Sequence, residues 1–444
     1  LIERVAGAGL RRAKEAPGFE LRSPTPATRQ SMSDRAWFDK RTFCGIHRLD
    51  YASRTHDVRR HQLQTCSIAC LHRLCYFNES QLIRITFVIP TLDQSGAERQ
   101  LTLLATNLPP DKYRVQVIAL QRGGPYQKVL EDAGIDVKVL GKRFRFDPLT
   151  WFRLRQELRS WKPDIVQSYL FAANAYVRLP GIAPSGTKVV VSERCVDSWK
   201  SGWQLSLDRR QVQRTHAMTA NSQSVADFYV GVGVPRELIT VIPNALPITE
   251  PVYSKQQARQ ILGLSDEHKV LGFVGRLAAQ KQLPDIVWGF RLFEALDETS
   301  RLVLVGDGPM RDELAELALN FDCRDGIVFT GHRKDAFSLM AAFDVFVLAS
   351  SFEGMSNSLM EAMSLGLPCV ASDIPPNREL IAKDETGLLF PVGNSPELAR
   401  RAEMLLTDSE LSQRLGKAAQ ELIATKHTVR QLVAAHEILY SGLL

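Results

Sequence analysis

From residue 82 onward, short apolar runs alternate with amphipathic stretches. Leu82–Pro90 (LIRITFVIP) is a short, mainly apolar run rich in β-branched residues, the pattern of a strand buried on both faces of a parallel sheet. A polar turn with Gly96 follows, then an amphipathic stretch, Ala97–Leu108, stopped by Pro109 and Pro110. The alternation continues. Strands are predicted at Val115–Leu120, Ile135–Leu140, Asp164–Ser168, Lys188–Ser192, His216–Asn221 and Leu238–Ile242, with helices at Tyr126–Ala133 and Leu149–Trp161. A polar connection with three prolines runs from Pro243 to about His268. A second series then places strands at Val270–Val274, Leu302–Val305, Ile327–Thr330, Val345–Leu348 and Cys369–Ala371. From about Pro396 the chain reads as helix to Leu444. Strands regularly separated by helices predict an α/β protein with two doubly wound parallel sheets. The expected domains are 82–243 and 244–427, with a last helix, about 428–444, returning to the first.

Residues 1–81 are different. They show neither the period of two nor that of 3.6. The first 80 residues hold 12 Arg and 2 Lys against 8 acidic side chains, so they account for the whole formal charge of +6. The other 364 residues carry 41 basic and 41 acidic groups. This segment reads as a basic leader without a fold of its own. Cys66, Cys70, His72 and Cys75 form its only metal-like cluster, and their spacing does not match paired zinc knuckles. Seven cysteines in 444 residues argue against a disulfide scaffold. No run approaches the 18 apolar residues a membrane span needs. The balanced body gives no sign of a nucleic-acid partner.

In open α/β sheets, ligands sit beyond the carboxyl ends of the strands, so the chemistry is sought in the loops there. Four such loops in the second half carry suitable residues. After Val274, Gly275 precedes Arg276 and Lys281, a forked and a compact cation suited to a diphosphate. After Val305, Gly306-Asp307-Gly308-Pro309 offers a tight turn, close backbone approach to a ligand, and a proline to start the next helix. After Thr330 stand Gly331 and His332. Residues 350–366 read SSFEGMSNSLMEAMSLG: a turn at Glu353-Gly354, an N-cap at Ser356, and a helix whose first N–H groups make an anion site. Glu353 and Glu361 lie eight positions apart, one before the helix and one a turn inside it. Singly, each of these residues is as well explained by an ordinary surface or capping role.

Taken together, FVGRLAAQK (273–281), LVGDGP (304–309), IVFTGH (327–332) and SSFEGMSNSLMEAMSLGLPCVAS (350–372) resemble the GT4-type family of retaining glycosyltransferases, which have the GT-B fold. The last segment matches the family's signature of two glutamates separated by seven residues. SGAERQL (95–101) and VIPNA (241–245) extend the resemblance into the first half. The resemblance implies a nucleotide-sugar donor, UDP- or GDP-linked, with no metal and no further cofactor. Arg276 and Lys281 would hold the diphosphate, Glu353 the donor sugar and Glu361 the ribose. Gly354, Met355, Ser356, Asn357, Ser358 and Leu359 would line the donor site through their backbone. His332 would lie near the base, and Gly96 would close over the donor from the first domain.

Two departures stand out. Ser356 replaces the family's usual proline. The stretch after the fourth strand, Gln167–Asn174, lacks the histidines many relatives carry, which leaves the acceptor-side group open among Tyr169, Asn174, Glu193 and Arg194. The function implied is transfer of a sugar to a saccharide, lipid-linked or cell-envelope acceptor, by a cytoplasmic enzyme that visits the inner membrane face. Two other readings stay open: a GT-B-like sugar-nucleotide epimerase, and a nucleotide-sugar-binding module without catalysis.

Overall fold

The computed structural model describes residues 82–444. The expectations for residues 1–81, including Cys66, Cys70, His72 and Cys75, lie outside the described residues. The first sheet contains β1 (Ile83–Thr91), β2 (Tyr113–Arg122), β3 (Asp136–Val139), β4 (Ile165–Tyr169), β5 (Lys188–Glu193), β6 (Ala217–Ala220) and β7 (Ile239–Val241). The second contains β8 (Lys269–Val274), β9 (Ser300–Val305), β10 (Ile327–Gly331), β11 (Val345–Leu348), β12 (Cys369–Ser372) and β13 (Leu388–Phe390). Their orders are β3-β2-β1-β4-β5-β6-β7 and β10-β9-β8-β11-β12-β13, and every pairing is parallel. Parallel neighbours require crossovers, so helices cover both faces. Ile85, Phe87 and Ile89 of β1 therefore feed one core while Val88 feeds another on the opposite face. The second sheet has a continuous core of its own, which includes Phe273, Leu304 and Phe346.

The order reverses between β1 and β4 and between β8 and β11. These switch points leave crevices at the carboxyl ends of the strands.

Several elements differ from expectation. β1 does not stop at Pro90. It continues to Thr91 through a register shift between Ile89 and Thr91, the irregularity by which a central strand accommodates a residue without an N–H. The stretch after β4 is a helix, Leu170–Val177, entered directly from the strand by Leu170 at φ 67°. Its sequence, LFAANAYV, is apolar on nearly all sides and so shows no helical period. The helix Gly202–Gln211 and the three-residue strand β13 were also not anticipated. The helix after β9 begins at Arg311 and not at Pro309, because the Met310 N–H bonds to Leu277 O (3.1 Å).

The chain crosses between the two halves twice, side by side. Leu246 pairs with Thr428, and its N–H donates to His427 O at 2.9 Å. His427 Nδ1–H donates to Asn244 O at 3.0 Å. The last helix, Val429–Leu443, then places Leu432, Val433 and Tyr440 in a core of the first sheet. His436, fully buried there, donates from Nδ1 to Leu432 O (2.9 Å), and burial holds its pKa down to about 4. Among the described residues, no helix is long and apolar enough to cross a membrane.

Candidate active site

Three loops of the second sheet are laced together by their backbones. Gly275 N–H donates to Val305 O (3.0 Å), Leu277 N–H to Asp307 O (2.9 Å) and Gly306 N–H to Gly331 O (3.0 Å). Gly306 has φ 141°, and a Cβ there would lie 1.9 Å from Gly275 O. Only glycine fits. This glycine thus packs against the neighbouring loop, and its residue also lines the cavity between the two halves. The consequence is a rigid floor from which longer side chains project.

Lys281 pairs with Glu353, whose Oε1 also accepts from Ser350 Oγ (2.7 Å). Gln280 ties the same loops, donating from Nε2 to Phe352 O (2.7 Å) and accepting at its carbonyl from Ser351 N–H (2.9 Å). Ser356 caps the helix Asn357–Ser364, as expected, its Oγ accepting from Leu359 N–H at 3.4 Å. The N–H groups of Asn357 and Ser358 have no partner within the helix.

The first half closes over this floor. Ser95 and Gly96 open the helix Gly96–Asn107, and Arg99, in its first turn, reaches across to pair with Glu361. Asn244, on the first crossing, donates from Nδ2 to Asn357 Oδ1 (2.8 Å) and to Met355 O (3.1 Å), while Arg194 donates to its Oδ1. Val196 N–H donates to Glu353 O at 3.0 Å. Glu353 is therefore held by its backbone from the first half and by its carboxylate from the second. A Cβ on Gly354 would lie 2.1 Å from Arg194 O, so this glycine is what lets the two halves meet.

Between them lies a cavity of about 770 Å³. Of the residues singled out in the sequence, Gly96, Arg276, Lys281, His332, Glu353, Met355, Ser356, Asn357, Ser358 and Glu361 line it. Gly354 and Leu359 do not: Gly354 faces Arg194 and Asn221, and Leu359 is fully buried in the second core. The wall carries Arg99, Arg194, Arg276, Lys281, Arg333 and Lys334 against Asp307, Glu353 and Glu361, an excess of positive charge suited to an anionic ligand. Burial draws the Arg194 pKa down to about 10, still cationic at neutral pH.

The four acceptor-side candidates separate. Only Arg194 reaches the cavity. Tyr169, Asn174 and Glu193 are at most 2% exposed and serve the first domain's interior. Burial pushes the Tyr169 hydroxyl up to about 12, and Asn174 donates to Glu193 Oε1 at 2.9 Å. The wall also includes residues that the sequence reading does not single out, among them Arg99, Tyr126, Asn221, Asn244 and Lys334. Arg99 had a local signal, three residues after Gly96 in the first turn of a helix following β1. Asn244 lay inside the matching segment VIPNA without being singled out. Asn221 Oδ1 is buried and accepts no hydrogen bond from any described residue.

Comparison with known proteins agrees with this geometry. The family model described as Glycosyl transferases group 1 matches residues 254–422, and that described as Glycosyltransferase Family 4 matches residues 94–250. N-acetyl-alpha-D-glucosaminyl L-malate synthase of Bacillus anthracis is 29% identical over 243 residues, 54% of this chain and 63% of that protein. The match thus spans less than two thirds of that relative's length. Lipopolysaccharide core biosynthesis glycosyltransferase LpsD of Rhizobium meliloti is 24% identical over 352 residues, 77% of this chain and 94% of that protein. The crystal structure of Anabaena Alr3699/HepE in complex with UDP-glucose superposes with a TM-score of 0.72 at 24% identity, over 81% of this chain and 100% of that one. With two facing parallel sheets, a cationic cleft between them and both halves matched in order, the chain belongs to the GT4-type glycosyltransferase family, with the GT-B fold.

Proposed function

We propose that the protein is a retaining glycosyltransferase that moves a sugar from a nucleotide-sugar donor to a saccharide, lipid-linked or cell-envelope acceptor. The observation that carries this reading is the convergence of Arg276, Lys281, Glu353, Glu361 and the start of the helix Asn357–Ser364 on one cavity. Arg276, Lys281 and the helix N-terminus offer positive charge where a diphosphate would leave. Glu353 receives the donor sugar and Glu361 the ribose, with His332 beside the base. The acceptor hydroxyl attacks the anomeric carbon on the face from which the nucleoside diphosphate departs. The bond from carbon to the diphosphate oxygen breaks as the new glycosidic bond forms, and the hydroxyl proton passes to the departing oxygen. The chain's own cations suffice for this chemistry, and the nucleotide sugar is a co-substrate. The HepE complex with UDP-glucose supports a UDP-linked donor, and the role of LpsD in lipopolysaccharide core synthesis supports a cell-envelope acceptor. Such an acceptor brings the enzyme to the cytoplasmic face of the membrane.

The test is a thermal-shift panel of UDP- and GDP-sugars. A donor at 100 times its Kd adds about 2.7 kcal/mol of stability, several degrees of melting temperature. A panel without a single shift refutes the reading. Product analysis of the responding donor without acceptor then separates transfer from epimerisation.

A further inference from the structure

Among the described residues, every exposed Phe and Trp side chain lies in one region: Phe144 (69% exposed), Phe146, Phe152, Trp199 and Trp203. Single exposed apolar residues are ordinary, but a cluster of large rings is not. Phe144 and Phe146 stand on the loop after β3. Phe152 follows on the helix Pro148–Trp161, one turn from the exposed Leu149 and on the same face. Arg145 bridges to the segment after β5 by stacking 4.4 Å from the Trp203 ring centroid. Trp203 in turn meets Phe171 edge-on at 5.7 Å.

The same stretch is strongly basic. Residues 141–155 carry Lys142, Arg143, Arg145, Arg153 and Arg155 against one acid, Asp147. Asp147 is buried and engaged as a helix cap, accepting from the N–H groups of Arg143 (3.1 Å), Leu149 (3.0 Å) and Thr150 (3.4 Å). Arg143, Arg145 and Arg153 are exposed and Lys142 and Arg155 half-buried, a local excess of positive charge within residues 81–444, whose charges balance as a whole.

We propose that this surface docks the protein on an anionic lipid bilayer. Aromatic rings settle at the boundary between headgroups and acyl chains, and guanidinium groups pair with headgroup phosphates. The combination fits an anionic bilayer better than an apolar protein partner, which would offer these cations no counter-charge. The region lies on loops after β3, β4 and β5, at the carboxyl edge that also carries the Gly96 loop and Arg194. Docking there presents the acceptor half of the cleft to the membrane, which rests on the cell-envelope acceptor proposed above.

The test is co-sedimentation of the full chain with vesicles of phosphatidylcholine alone and of phosphatidylcholine with phosphatidylglycerol. Binding is expected only to the mixed vesicles and weakens as salt is added. Because residues 1–81 are themselves basic, the comparison that decides is between parent and variants. Arg143→Ala/Arg145→Ala weakens binding roughly tenfold or more. Phe144→Ser/Phe152→Ser also weakens it, with the salt dependence retained. Failure of the parent to bind mixed vesicles, or equal binding by parent and both variants, overturns the proposal. So does retention of a soluble anionic polysaccharide without vesicle binding, or self-association abolished by the Phe variants without vesicle binding. All variants keep the nucleotide-sugar thermal shift, so loss of that shift in the parent refutes the transferase reading while the vesicle result stands on its own.

Discussion

Both sheets carry charged residues on the loops beyond their carboxyl ends, but they use them differently. In the second half, Lys281 and Glu353 pair at the wall of the cavity, where an incoming ligand can exchange with either partner. In the first half, Lys200 is wholly buried among Asp197 (2.9 Å), Asp208 (3.1 Å) and Glu193 (3.7 Å), and Tyr229 OH lies 2.6 Å from its Nζ. Arg178 joins Asp208 at 2.6 Å, also buried. Burial pushes the Glu193 carboxyl upward, further than the nearby Lys200 charge draws it down. The residue types are similar, but the first set is enclosed among the loops and the second stands at the cavity. Charge near a strand end therefore says little until its burial is known.

The comparison can be broken most sharply at Lys200. Lys200→Met removes the cation at the centre of three buried carboxylates and is expected to cost about 3–5 kcal/mol of stability. Chemical denaturation measures it, and a loss below about 1 kcal/mol would show that the network is not structural. Lys281→Ala should do the reverse. Transfer falls roughly 10²–10³-fold while the melting temperature changes little, as activity and melting measured on one preparation will show. Near-normal turnover would remove Lys281 from the donor site.

Acid should weaken the first half through His436. Its folded pKa, about 4, lies below the ordinary value of 6.5, so the unfolded chain binds the proton more readily. The stabilisation is complete above pH 6.5 and is lost as pH falls toward 4, by about 2 kcal/mol at pH 5. Denaturation at pH 7 and pH 5 should show this difference in the parent and a smaller one in His436→Gln. The smallest expected effect is at the join between the halves. Arg99 occupies Glu361, the proposed ribose contact, with a partly exposed ion pair. Arg99→Ala frees that carboxylate, and the donor KM should fall by up to about fivefold, the worth of about 1 kcal/mol, with kcat little changed. A rise in donor KM would instead show that Arg99 itself holds the donor.

Much of the second half was legible because its signals are local. A β-branched run ends in Gly275, Ser356 caps the helix it precedes, and Glu353 and Glu361 are related by less than three helical turns of chain. All four of the expected charged donor-site residues, Arg276, Lys281, Glu353 and Glu361, line the cavity. The first half was harder. The helix Leu170–Val177 hides its period because it is apolar nearly all round, and Leu170 enters it through a left-handed conformation that its side chain does not advertise. Tyr169 and Glu193 end strands, next to where Arg194 stands, and Asn174 lies in the helix after β4, yet all three are buried.

The sequence by itself determined the alternation of strand and helix, the two parallel sheets that alternation demands, and the loops that line the cavity. These follow from burial periodicity and turn chemistry, which act over a few residues. Only the tertiary structure decided which charges meet. Arg99 finds Glu361 across 262 positions, Asn244 finds Asn357 across 113, and Arg145 finds Trp203 on a surface assembled from separate loops. Such contacts depend on how two sheets and two chain crossings close on each other, and no local pattern encodes that closure.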